Sequence, residues 1–263
     1  MRIRPTETPA HWPLVLLALM VLAGAASLWA EGPAAAAPPC LYRTTFMRAA
    51  PGKLLELIDL VKGRLPVMDA AGDARPLWWR HMEGDQWDLM LLFPMGSYAE
   101  YYAKTRLARR EEAAAAAGLS DKDFLEKLGA CVSWQEDVFV LGPPFEAVKK
   151  EFDAATFYHV EMFVALPGKR AELFKEREME SAYQVAIGRP ATMTFVRDLG
   201  AAWDMFSLGC YRDLQHWAST NDVSKETREA AARRVGFSGA SAIGPTMRSL
   251  IDYHRDTIGS AVR

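Results

Sequence analysis

Apolar and polar positions along the chain change period in a fixed order, and the order occurs twice. Leu41–Arg48 (LYRTTFMR) and Phe157–Leu166 (FYHVEMFVAL) are rich in aromatic and β-branched residues and predict strands. Pro-Gly-Lys follows each, at Pro51–Lys53 and Pro167–Lys169, and ends the strand. Gly52–Met68 and Lys169–Gln184 then space their apolar residues as helices do. A hairpin comes next: Leu77–Glu83 with Trp87–Phe93 in the first copy, Thr192–Asp198 with Trp203–Leu208 in the second. Further helices are predicted over Ser97–Arg110 with a continuation through Ala117, over Asp121–Leu128 capped by Ser120, and over Tyr211–Thr220 and Glu226–Val235. Closing strands are predicted at Val132–Val140 and Met247–Tyr253.

The two passages are copies in residue identity as well as in pattern. Sliding one along the other by 116 positions matches Tyr42 with Tyr158, Pro51 with Pro167, Gly52 with Gly168 and Lys53 with Lys169. The same shift matches Gly72 with Gly188, Gly84 with Gly200, and Trp87-Asp88 with Trp203-Asp204. Gly, Pro and Trp carry most of the weight, because their chance coincidence is rare. The order β-α-β-β-α-β is the ferredoxin-like unit, an antiparallel sheet with helices on one face. Its other face is apolar and needs a cover. A second unit in the same chain supplies one. The predicted fold class is therefore α+β: two tandem ferredoxin-like βαββαβ repeats whose antiparallel sheets pack face to face as an α/β barrel. The first repeat spans 39–141 and the second 157–263, and a linker over 142–156 is marked by Pro143-Pro144.

These residues resemble the dimeric α/β-barrel superfamily in its tandem, single-chain form, of the NIPSNAP or antibiotic-biosynthesis-monooxygenase type. In that layout a first strand ends in Pro-Gly-Lys and a hairpin strand carries a Trp near its start. Pro51–Lys53 with Trp87, and Pro167–Lys169 with Trp203, fit it. The resemblance implies the fold across both repeats. It leaves the activity open, since the superfamily holds cofactor-free oxygenases, haem-binding and haem-degrading proteins and small isomerases.

Strand alternation sorts the candidate site residues onto faces. Tyr158, Val160, Met162 and Val164 form an apolar row expected to meet the helices. His159, Glu161 and Phe163 then point into a cavity between the sheets, with Arg43, Thr45 and Met47 at the matching positions of the first copy. His159 and Glu161 can act as a general base with its orienting group, or as two metal ligands. No third ligand is evident, so no metal is expected. The competing reading is a buried polar network that satisfies itself. His81 and its counterpart Arg197 put a basic group at the end of the second strand in each copy. Asp88 and Asp204 either pair with a cation such as Arg43 or cap the turns at Gly84 and Gly200.

A formal net charge of −2 gives no basic excess and argues against a nucleic-acid partner. Cys40, Cys131 and Cys210 have no zinc or redox spacing and are expected to be free thiols, Cys40 and Cys131 lying at opposite ends of the sheet. Residues 1–38 read as an export signal: Arg2 and Arg4 precede the apolar run Trp12–Ala30, and small residues at Ala34–Ala37 suit cleavage. An uncleaved membrane anchor is the alternative. The expected function is an exported binder of a small, partly apolar molecule, acting as a monomeric pseudo-dimer without a cofactor. A cofactor-independent monooxygenase using His159 and Glu161 is the first alternative. Haem binding through His159 or His81 is the second.

Overall fold

In both copies Pro-Gly-Lys turns a strand into a helix. Gly52 and Gly168 adopt φ of +77° and +79°, a region that side chains disfavour, so the chain can reverse at once. Lys53 and Lys169 then pair with Glu56 and Glu172 in the first helical turn. The computed structural model describes residues 39–262, and the export segment read at 1–38 lies outside the described residues. The first half runs β1 (Cys40–Ala49), α1 (Leu54–Ala70), β2 (Leu77–Glu83), β3 (Leu89–Gly96), α2 (Tyr98–Tyr101), α3 (Lys104–Ala116), α4 (Asp121–Cys131) and β4 (Val132–Gly142). Helix α5 (Phe145–Asp153) joins it to β5 (Phe157–Ala165), α6 (Arg170–Ala186), β6 (Thr192–Leu199) and β7 (Met205–Tyr211). The chain ends with α7 (Leu214–Ala218), α8 (Lys225–Arg234), α9 (Ile243–Arg248) and β8 (Ile251–Ala261). No helix among the described residues is long and apolar enough to cross a membrane.

All eight strands join in one closed antiparallel barrel in the order β1-β3-β2-β8-β5-β7-β6-β4. Within it each half keeps the order 4-1-3-2, written 8-5-7-6 in the second. The expected pair of stacked sheets is thus corrected: the sheets meet edge to edge, at β2–β8 and β4–β6. Closure satisfies the ladder hydrogen bonds that two open sheets would leave at four free edges. Gly84 lets the first seam close. A Cβ there would stand 2.1 Å from the Asp256 carbonyl oxygen on β8.

The barrel interior is filled. Tyr42, Phe46, Trp79, Met90, Tyr158, Val160, Met162, Phe195, Phe206 and Leu208, drawn from both halves, form one buried cluster. Phe195 stacks on Phe206 with ring centres 4.6 Å apart. A cavity of only about 110 Å³ remains at one end, beside Phe46, Trp87 and Trp203. The segment read as a linker contains α5, which closes part of the barrel with Val148 and Phe152, the latter stacked on Tyr158 at 4.6 Å. Strand β8 also departs from expectation. It begins at Ile251 and continues to Ala261, while Met247 belongs to α9. The three thiols are free; Cys40 faces Gly142 at one end of the β1–β4 ladder, and Cys131 precedes β4 at the other. Burial pushes the Cys210 thiol up to about 12, which leaves it unreactive.

Candidate functional site

Alternation grouped the right residues on each face, but the facing is the reverse of the expectation. Tyr158, Val160 and Met162 point into the barrel. Met47 and Phe163, and with them the rows Arg43-Thr45 and His159-Glu161, lie on the outer face beneath the helices. The reason is steric and dielectric. An eight-stranded barrel has room only for its own side chains, and a filled apolar interior would strand a charge.

The first half opens a cleft of about 480 Å³ between this outer face and helices α1, α3 and α4. Val61, Leu65, Met68, Leu91 and Phe93 make its apolar walls, and Arg43, Thr45 and Met47 lie in its lining. Arg43, Arg64 and Arg110 all line it, and each has a buried N–H with no hydrogen-bond partner: Nε of Arg43, Nη1 of Arg64 and Nε of Arg110. Their carboxylate neighbours are already engaged. Asp137 stands 3.9 Å from Arg43 while its oxygens accept from the Thr45 hydroxyl and the Gln135 amide. Asp73, 3.4 Å from Arg110, accepts two hydrogen bonds from Arg106. Asp121 takes only the other terminal nitrogen of Arg64. The Arg43 guanidinium lies 4.5 Å over the Phe93 ring, a flat aromatic surface under a cation.

The matching region of the second half holds a charge network. His159 Nε2 and Asp256 Oδ1 are 3.0 Å apart, and His254 Nε2 sits 3.1 Å from the other Asp256 oxygen. Arg177, on α6, binds Glu176 and Glu180 and stands 3.9 Å from Glu161. Burial pulls the His159 imidazolium down, but the Asp256 hydrogen bond and the nearby carboxylates outweigh it and hold its pKa above the usual histidine value. Burial pushes the Glu161 carboxyl up, and His159 and Arg177 oppose this only in part. Asp256 is held low, first by its hydrogen bond with His159.

The other candidates are framework. Asp88 and Asp204 accept the backbone N–H of Ala49 and Ala165 at 2.8 and 2.9 Å, fastening the ends of β1 and β5. Asp88 therefore does not pair with Arg43. Arg197 binds Asp204 and the Ala201 carbonyl, which fixes the β6–β7 turn. His81 takes the inward side of β2, its ring 5.8 Å from Trp87 and its Nε2 buried without a partner. Phe163 is fully buried beneath the helices. His159 is bonded to Asp256 and set against Trp217, and His81 packs against Trp87. The sequence reading missed Arg64, Arg110, Arg177 and Asp256. A helical arginine resembles any solvated one, and Asp256 lay beyond the expected end of its strand.

The arrangement defines a class by its fold, an α/β barrel with clefts on its helical side, and comparison with solved structures agrees. The chain aligns with an anthrone oxidase-like protein over 86% of its own length and 92% of the other, at 12% identity and a TM-score of 0.50. It aligns equally well with a candidate monooxygenase from Fusobacterium nucleatum, covering 86% and 94% of the two chains at 12% identity and a TM-score of 0.50. A haem-binding protein from Thermus thermophilus aligns over 87% and 96% at 13% identity, with a lower TM-score of 0.41. The first two are dimeric α+β barrels, and this chain shares their fold; at such identities the likeness extends no further. No family model and no curated protein sequence matches the chain.

Proposed function

We propose that the protein binds a small amphipathic organic anion in the cleft of its first half. One observation carries the reading: Arg43, Arg64 and Arg110 line a single cleft with apolar walls, and each has a buried N–H without a hydrogen-bond partner. Buried donors are nearly always satisfied, and an orphan costs about 1–3 kcal/mol. A carboxylate or similar anion supplies the acceptors, and the apolar walls take the rest of the molecule. The repeated turns and the shared strand order of the halves support an origin by duplication, as in tandem NIPSNAP-type chains. On this reading the second copy completes the barrel while the first keeps the cleft. The apolar run Trp12–Ala30, read above as part of an export signal, supports export; on that reading the ligand is met outside the cytoplasm and the role is that of a carrier or sensor.

The probe is 2-naphthoate, compared with the neutral 2-naphthamide of nearly the same shape. Calorimetry should show naphthoate binding at least about tenfold tighter, and Arg43→Met should erase that preference, a change of about 1.4 kcal/mol. Equal affinity for acid and amide, or an undiminished preference in a folded Arg43→Met protein, would overturn the proposal.

A second reading, a cofactor-independent monooxygenase acting through His159 and Glu161, has one observation in its favour. Asp256 holds the His159 imidazole in the posture of a general base.

A further inference from the structure

Strand β8 contributes the ligand that the sequence pattern lacked. Glu161 and Asp256 face each other directly across the β5–β8 ladder, and His159 lies two residues along β5 on the same face. One donor atom from each of the three lies within 4.8 Å of the others. The His159 Nε2 to Asp256 Oδ1 separation is 3.0 Å. That is the spacing of neighbouring ligands around an ion with bonds of about 2.1 Å at right angles. Glu161 would need to close from within 4.8 Å to about 3 Å, which side-chain rotation provides.

Carboxylates outnumber the cationic side chains in this region. Like charges directly opposite on a ladder repel, and Glu161 and Asp256 are such a pair. Glu176 and Glu180 bring two more carboxylates to the same helix–sheet junction, against the Arg177 guanidinium and the imidazoles of His159 and His254. Glu161 is only 18% exposed and accepts no hydrogen bond among the described residues. Its nearest cation is Arg177, 3.9 Å away and committed to Glu176 and Glu180. His254 supports the outer oxygen of Asp256 at 3.1 Å, as second-layer groups orient metal-binding side chains.

We propose that His159, Glu161 and Asp256 bind one divalent transition-metal ion. One imidazole nitrogen with two carboxylates suits Mn²⁺, Fe²⁺, Co²⁺ or Zn²⁺; softer ions such as Cu⁺ prefer sulfur. The site belongs to the second half, so it stands or falls independently of the anion cleft.

The test titrates tag-free protein with Co²⁺, followed by calorimetry and by the visible d–d absorption. One Co²⁺ binds per chain and raises the melting temperature. Glu161→Gln and Asp256→Asn each weaken binding by about tenfold or more. His216→Gln, which alters a histidine on α7, leaves it unchanged. The metal-free Glu161→Gln protein melts at or above the wild type, because the facing charges are gone; a Glu161 needed only for a structural ion pair would give a lower melting temperature. No d–d bands and no change in melting with Co²⁺, or full-strength binding in both carboxylate variants, would overturn the proposal.

Discussion

Arg177→Met is expected to destabilise the protein by about 3–5 kcal/mol, the usual cost of removing one partner from a buried ionic cluster. Arg177 is 3% exposed, binds Glu176 at 2.6 Å and Glu180 more closely still, and lies 4.9 Å over the Phe163 ring. Methionine fills similar space, so the loss reports charge more than volume. The effect depends on pH in a defined direction. Burial pushes the Glu176 carboxyl up to about 7, against the pull of Arg177. A carboxyl with a raised folded pKa holds its proton more firmly in the folded state, so its contribution weakens as pH rises from its unfolded value through about 7. Removing Arg177 raises that folded pKa further. Urea midpoints should therefore show the larger deficit near pH 8 and a smaller one near pH 5. An equal deficit at both would mean that packing, not charge, is what Arg177 supplies.

Phe206→Ala is expected to cost a further large amount, about 3–5 kcal/mol, by opening a hole in the barrel interior. Phe206 has no exposed surface, stacks on Phe195, and meets Trp203 with ring centres 5.9 Å apart. Denaturant unfolding reads the loss. Under native conditions the variant should bind 2-naphthoate as the wild type does, since the cleft lies on the other side of the sheet. A loss of binding without a loss of stability would make the interior a ligand chamber, against the filled core described above.

The elements were legible wherever local chemistry decides them. The strand-to-helix turns at Gly52 and Gly168 need a glycine conformation and advertise it, and Ser120 caps α4 by accepting the Asp123 N–H as expected. Strand β8 was misplaced because Asp252, His254 and Asp256 alternate with half-polar Tyr253, Arg255 and Thr257. The segment has no apolar row of its own and is held by ladders to β5 and β2. That error hid Asp256, and with it the third member of the His159–Glu161 group. The reversal of faces has a different origin. Alternation separates Arg43, Thr45 and Met47 from Tyr42, Thr44 and Phe46, but whether a row lies inside depends on whether the sheets stack or close. Closure is made by backbone pairing at β2–β8 and β4–β6, which leaves no signature in side-chain pattern. The cleft cations were hidden for a similar reason. Arg64 and Arg110 sit on separate helices, and only the folded layer brings them to the same cleft as Arg43.

The central claim is that ligand binding occurs outside the barrel, under the helices of the first half. Methionine methyl NMR tests it directly, because Met47 and Met68 line the cleft while Met90 and Met162 fill the interior. On adding 2-naphthoate, the Met47 and Met68 methyl signals should shift with the occupancy measured by calorimetry, and those of Met90 and Met162 should stay in place. Shifts at Met90 and Met162 with Met47 and Met68 unmoved would contradict the account.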